Sequence, residues 1–393
     1  MMKILILTHY FQPHIGGIEI VAYNQAKEIV KRGHQVTIIT SKIGEEAEQE
    51  IIDGIKVIRV KAWNFFENHF GVPYPIFYPK LLLRLKEEIK DNDVINTHGI
   101  VWMQSFFSAI ISRIFQKPIV LNQHNTYINY KNPILRLIEK IADKTIGRYT
   151  LNSANQIIAV SEETKKYVLS IAKKLNNISI LYNGVNFKRF KPIRNKKIVR
   201  KKFKINPEGF ICLTIRRITF KNGIDTFLQV AKFFNKKRED ILFVLGGKGP
   251  DTDIVKKYIK ENHLSNVKLI GFVSDEELPY YYALSDIFIL PSKTGEGFPM
   301  VVIEAFASGL PVIGTNTGGQ IEIIKEDQTG FIVEPNEPKQ IAKKIEYLYE
   351  NKKLLKEMSK NCRKLIEKEF SWEKNVDNLL FVYQEVFKNA VKK

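Results

Sequence analysis

Short apolar runs that end in polar residues recur along this chain, and stretches with helical periodicity separate them. The first half carries KILILTHY (3–10), QVTIIT (35–40), VINTH (94–98), IVLNQH (119–124), QIIAV (156–160) and ISILYNG (178–184). The second half restarts the pattern with FICLTI (210–215), ILFVLGG (241–247), VKLIGFV (267–273), DIFIL (286–290) and PVIGT (311–315). Continuous apolar runs of this length are strands buried on both faces, as in parallel sheets, and parallel strands need helical crossovers between them. The chain therefore reads as α/β, with two doubly wound domains facing across a cleft. The predicted boundaries are a first domain over 1–190, a basic linker over 191–206 and a second domain over 207–369. A final helical stretch covers 370–393.

At 393 residues and 44% hydrophobic, the chain has the size and composition for two such cores. Cys212 falls in a strand-like run and Cys362 on a charged helix, which points to a reducing compartment without a disulfide framework. The N-terminal MMKILILTHYF reads as a first buried strand, not a secretory signal. The richest apolar stretch, 106–115, is broken by Arg113, so no transmembrane helix is predicted. The formal net charge is +19. Nucleic acid, an anionic membrane surface and phosphorylated substrates are the partner classes such a charge admits. The densest basic run, KRFKPIRNKKIVRKKFK (188–204), has few aromatics and no nucleic-acid-binding signature, and it reads as a solvated linker. In KLLLRLKEEIK (80–90), Leu81, Leu82, Leu85 and Ile89 form one apolar stripe edged by Lys80, Arg84 and Lys86. That stripe fits either a core-facing helix or reversible attachment to the inner face of the cell membrane.

Residues 296–319, EGFPMVVIEAFASGLPVIGTNTGG, carry the most chemistry. A loop follows the strand at 286–290, Pro299 suits a first helical position, and Gly309 with Pro311 stops the helix. Glu296 thus sits in a loop at a strand's carboxyl end, and Glu304 sits inside the helix that follows. Ligands of parallel α/β sheets bind there. The helix N-terminus favours an anion, while two carboxylates beside it require neutral hydroxyl donors. A sugar nucleotide offers both, with hydroxyls on either side of a diphosphate.

The segment resembles the donor-binding motif of the family 4 retaining glycosyltransferases, which have the GT-B fold. The resemblance spans nearly the whole chain and implies a C-terminal helix that crosses back to the first domain. It implies that Glu296 contacts donor-sugar hydroxyls, that Glu304 holds the nucleotide ribose, and that the backbone of Gly297, Phe298, Pro299, Met300 and Val301 approaches sugar and phosphates. The loop Gly16-Gly17-Ile18-Glu19 is similar to the family's glycine turn beside the donor diphosphate and acceptor. In IRRITFKNGID, Arg217 and Gly223 keep the family's six-residue spacing. Asn222 occupies the usual lysine place and Lys221 comes one residue early, so either a shifted Lys221 or Arg216 can meet the phosphate. The resemblance also places Gly247 near the nucleotide, Val273 near the base, and His124 near donor sugar and acceptor. His98 and His9 end neighbouring strands.

The dinucleotide fingerprint, the P-loop, the G-x-S-x-G elbow and H-E-x-x-H are absent from the sequence. Asp91-Asn92-Asp93 reads as a turn, and Asp251-Thr252-Asp253 as a helix N-cap. No metal and no cofactor beyond a nucleoside diphosphate sugar is implied. The predicted activity is retaining transfer of a hexosyl group to an acceptor hydroxyl, in cell-surface glycan or glycolipid synthesis. The partners are a nucleotide sugar and a glycan or lipid-linked acceptor, with no nucleic acid, in the cytoplasm or peripherally on the membrane. A GT-B nucleotide-sugar epimerase and a non-catalytic basic nucleic-acid-binding protein are the alternatives.

Overall fold

Along the first strand, β1 (Lys3–Leu7), successive side chains leave on opposite faces. Ile4 and Ile6 enter one core and Leu5 and Leu7 another, all fully buried. The sheet is therefore apolar on both sides, as the continuous runs required. The computed structural model describes residues 1–392 apart from 15, 71, 128–131, 173–174 and 295–296. The chain forms two units, Met1–Gly184 with Trp372–Lys393, and Val185–Ser371.

In the first unit β1 is followed by β2 (Gln35–Lys42), β3 (Gln49–Ile52), β4 (Ile55–Trp63), β5 (Ile76–Phe77), β6 (Val94–His98), β7 (Ile119–Gln123), β8 (Gln156–Ala159) and β9 (Ile178–Ile180). Their order is β3-β4-β2-β1-β6-β7-β8-β9, with β5 beside β4. All neighbours run parallel except β3 and β5, which pair antiparallel with β4. The winding reverses between β1 and β6. One face is covered by helix Gly17–Lys31 and by the C-terminal helix Trp372–Val391, whose Val376, Leu379 and Tyr383 join the core of Ala22, Ala26 and Ile29. Gln25 donates from Nε2 to Asn375 Oδ1 at 3.0 Å across that buried seam. The chain leaves this unit after Gly184 and rejoins it at Trp372, and a Cβ on Gly184 would lie 2.7 Å from the Trp372 nitrogen. Only glycine permits that approach.

The opposite face takes helix Lys80–Asp91. Leu81, Leu85 and Ile89 are in the core, and of the predicted stripe only Leu82 is exposed, at 40%. The membrane reading of this helix is therefore corrected: the apolar stripe is its core face.

The second unit is wholly parallel: β10 (Phe210–Ile215), β11 (Ile241–Gly246), β12 (Val267–Gly271), β13 (Ile287–Leu290), β14 (Val312–Thr315) and β15 (Gly330–Val333). The order is β12-β11-β10-β13-β14-β15. Taken within the unit this is 3-2-1-4-5-6, the doubly wound order with its switch point between the first and fourth strands.

The basic segment 191–206 belongs to this unit and is more than a solvated linker. Helix Lys196–Lys202 occupies it, and Arg200 is buried. Its guanidinium donates to the carbonyls of Leu284, Pro207 and Gly209 and pairs with Asp286 at 2.7 Å. Asp286 also accepts the Ile211 N–H at 2.8 Å, which ties the basic segment to the start of β10. A buried cation is stable only with such a full set of acceptors.

Candidate functional site

Loops at the carboxyl ends of β10 and β13 build the second unit's switch point. β10 ends at Ile215, so Arg216 and Arg217 are the first residues beyond it. Arg216 turns inward and donates from Nη1 to Ser292 Oγ at 2.8 Å and to the Asn222 carbonyl at 3.2 Å. It therefore bridges the two strands at the reversal. Arg217 and Lys221 lie on the exposed side of the same loop. Asn222, in place of the usual lysine, donates from Nδ2 to the Arg217 carbonyl at 2.7 Å and closes the loop. Gly223 follows at φ +75°, and a Cβ there would sit 1.6 Å from the Pro291 carbonyl oxygen. The two loops touch backbone to backbone, which no larger residue permits.

From Pro291 the chain passes to helix Met300–Ala307, with Pro299 at its N-cap. Gly297, Phe298 and Pro299 are buried, Met300 and Val301 half-buried. Glu296 lies outside the described residues. Glu304 sits one turn into the helix at 8% exposure and accepts the Tyr282 O–H at 2.9 Å on Oε2. Burial pushes its carboxyl up to about 7, against the Tyr282 hydrogen bond and the charge of Arg189, which pull down. A carboxylate in this state gains from any further hydroxyl donor, because each bond to the charged form offsets lost hydration.

Beside this lies the glycine turn after β11. Gly247 has φ +127°, and its Cβ would stand 2.0 Å from the Arg216 carbonyl oxygen. Gly249 meets Ile218 O in the same way at 2.1 Å. The turn and the β10 loop thus pack main chain on main chain. A cavity of about 530 Å³ opens there, lined by Gly247, Lys248, Gly249, Lys256, Ile270 and Gly271. Val273 is half-buried two residues beyond β12. The cavity wall combines glycine backbone and the cations Lys248 and Lys256, which suit an anion, with the apolar side chains of Leu269 and Ile270.

The first unit has a second polar cluster at its own switch point. His9 follows β1 and stacks on Trp102, which follows β6, with ring centroids 4.2 Å apart. His98 closes β6 and His124 follows β7. Their rings are nearly parallel with centroids 5.0 Å apart, and they meet edge to edge, Nδ1 of His98 lying 2.8 Å from Nε2 of His124. In such a pair one ring donates and the other accepts; the acceptor must be neutral, and the donor is neutral too where burial disfavours its charge. Burial enforces this by pushing His9 and His124 down to about 4 and His98 well below its usual value. His124 is thus a neutral hydrogen-bonding group at physiological pH.

His14 differs. Burial lowers its pKa, yet the hydrogen bond and charge of Glu19, with the charge of Glu67, outweigh burial and raise it. The His14–Glu19 pair is 2.8 Å long, and Glu19 is buried. Glu19 folds back over the helix start: a Cβ on Gly16 would meet its Oε2 at 2.3 Å. Gly17 has open space around it. His14, Trp102, Tyr282 and Ser292 were not anticipated from sequence. Histidine and tyrosine density just after β1 was the available signal for His14. Tyr282 lies 22 positions from Glu304 and had none.

The Asp-x-Asp triplets serve structure. Asp93 Oδ2 accepts the Lys3 N–H at 2.8 Å. Asp251 stands at the N-cap of helix Thr252–Glu261, but its carboxylate accepts the Phe220 N–H at 2.7 Å and makes no bond to that helix.

The sequence matches Glycosyltransferase Family 4 over residues 15–189 and Glycosyl transferases group 1 over 195–365. It is 33% identical over 294 residues to the capsular polysaccharide biosynthesis glycosyltransferase CapM of Staphylococcus aureus, covering 72% of this chain and 74% of that one. It is 25% identical to the uncharacterized glycosyltransferase MJ1069 of Methanocaldococcus jannaschii over 99% of both chains. Anabaena HepE, solved in complex with UDP, superposes with a TM-score of 0.79 at 19% identity, covering 98% of this chain and all of that one. Doubly wound units with polar switch points and this likeness define a glycosyltransferase of the GT-B fold. The chain belongs to the family 4 glycosyltransferases.

Proposed function

We propose that the protein transfers a hexosyl group from a nucleoside diphosphate sugar to an acceptor hydroxyl with retention of anomeric configuration. Metal and further cofactors play no part in this reading. The observation that carries it is Glu304: a buried carboxyl held near neutrality one turn behind the N-terminus of the helix that follows β13 is matched by a ribose joined to a diphosphate. Anabaena HepE has been solved in complex with UDP and with UDP-glucose, which supports a nucleotide of this kind.

In this mechanism the bond from the anomeric carbon to the β-phosphate oxygen breaks, and the diphosphate leaves with the electron pair. Arg217, Lys221 and the first turn of helix Met300–Ala307 stabilise the charge that develops on it. Arg216 holds the loop that presents them. The acceptor oxygen attacks the same face, and its proton passes to the departing phosphate. Glu296 hydrogen-bonds sugar hydroxyls, and the neutral His124 is suited to the same task. A diphosphate leaves without the acid that glycosidases need.

The likeness to CapM, a capsular polysaccharide biosynthesis glycosyltransferase, supports a role in cell-surface polysaccharide synthesis with a glycan acceptor, and the likeness to the alpha-monoglucosyldiacylglycerol synthase of Acholeplasma laidlawii supports the glycolipid, lipid-acceptor form of that role. Among the described residues no helix is long and apolar enough to cross a membrane. The reading places the enzyme in the cytoplasm, peripherally on the membrane. Product stereochemistry tests it: an α-linked donor gives an α-linked product in the anomeric proton coupling by NMR. A β-linked product overturns retention, and donor turnover without acceptor would instead identify an epimerase.

A further inference from the structure

Helix Pro133–Ala142 in the first unit has no buried residue. Ile134, Leu137, Ile138 and Ile141 recur at i, i+3, i+4 and i+7, and they are 66, 59, 53 and 54% exposed. On a helix of 3.6 residues per turn they span about 100°. A stripe of that width normally faces a core. Here it faces solvent, beside a shallow cavity of about 230 Å³ formed by Tyr127, Pro133, Arg136, Leu137 and Lys140.

The fully exposed charges along this segment have one sign. From 132 to 149 the exposed charged residues are Lys140, Lys144 and Arg148. The acids are withdrawn. Asp143 is buried and accepts the Tyr167 O–H at 2.8 Å, and Glu139 is half-buried with one carboxylate oxygen shielded from solvent. Tyr127 and Tyr149 add partly exposed aromatic rings. An apolar stripe with cations alone at its rim matches the boundary between acyl chains and anionic headgroups. It does not match a second copy of the chain, because two such rims would repel across a twofold interface.

We propose that helix Pro133–Ala142 is the surface by which this protein docks on an anionic lipid bilayer. The apolar side chains enter the headgroup region, and Lys140, Lys144 and Arg148 face the lipid phosphates. This assignment stands apart from the donor chemistry, because vesicle binding is read without turnover. Its failure would leave the transferase reading intact.

The test is co-sedimentation of the full chain with phosphatidylcholine vesicles containing increasing phosphatidylglycerol. Binding should rise with phosphatidylglycerol and fall with salt. Leu137→Asp with Ile141→Asp should weaken it by about tenfold or more, and Lys140→Glu with Lys144→Glu by a similar factor. Leu82→Asp, at an exposed leucine on another helix, should bind as wild type. The exposed positions should leave thermal unfolding unchanged.

A second readout uses Ile138→Cys carrying an environment-sensitive fluorophore, since Cys212 and Cys362 are both buried. Its emission should rise with phosphatidylglycerol vesicles and stay flat with phosphatidylcholine alone. The proposal is overturned if wild type fails to bind phosphatidylglycerol vesicles at low salt, or if the double aspartate variant binds as wild type. It is equally overturned if the label does not respond, or if the aspartates dissociate an oligomer while leaving vesicle binding unchanged.

Discussion

Glu304→Gln should stabilise the ligand-free protein, and the gain should depend on pH in one direction. Burial raises the Glu304 pKa from 4.5 to about 7. The folded chain therefore binds this proton more tightly than the unfolded chain. The stability that protonation contributes is fully present below pH 4.5 and is lost as pH rises toward 7. At about 1.4 kcal/mol for each tenfold in acidity, the loss amounts to roughly 3 kcal/mol above pH 7. Glutamine keeps an acceptor for the Tyr282 O–H and has no charge to bury. Urea unfolding of wild type and variant from pH 4.5 to 8 isolates the group, since the other acids cancel in the difference. The curves should lie closest at pH 4.5 and separate by roughly 3 kcal/mol at pH 8, with the variant more stable. A constant difference across that range would refute the reasoning that Glu304 is a carboxyl destabilised by burial.

Other perturbations read other parts of the site. Glu296→Ala should lower turnover by on the order of a hundredfold while nucleotide affinity changes little, because it is assigned to the reacting sugar; unchanged kinetics would remove it from the site. Activity should survive EDTA, and complete loss restored by magnesium or manganese would return attention to the Asp-x-Asp triplets. Gly247→Ala forces a Cβ against the Arg216 carbonyl oxygen at φ +127°; it should cost about 1–3 kcal/mol or more in urea unfolding and weaken nucleotide binding. Full stability in that variant would show the glycine turn to be adaptable.

The parallel strands of both units were legible because each is a continuous apolar run, and burial on both faces imposes that pattern. What the sequence hid has physical causes. β3 alternates little and lies exposed at the sheet edge, although Asp53-Gly54, both at positive φ, carried the hairpin signal between β3 and β4. The 80–90 stripe had the same periodicity for core or membrane, and the choice depended on neighbours that only the fold supplies. Helix Pro133–Ala142 has an equally regular stripe and proves to be the exposed one. The basic segment read as solvated because two of Arg200's partners, Leu284 and its counter-ion Asp286, lie more than eighty positions away. Glu304 was legible from its motif. Its raised pKa was not, since that follows from burial beside Tyr282. The inward turn of Arg216, and the outward positions of Arg217 and Lys221, follow from loop closure by Asn222.

The central claim is that the second unit's switch point holds a nucleoside diphosphate sugar. A thermal-shift panel of UDP-, GDP- and ADP-sugars on wild type and Glu304→Gln tests it most directly. At a hundredfold excess over Kd, the cognate donor should stabilise wild type by about 2.7 kcal/mol. It should stabilise Glu304→Gln markedly less. If no member of the panel raises the melting temperature of wild type, or if the cognate donor stabilises both proteins equally, the claim fails.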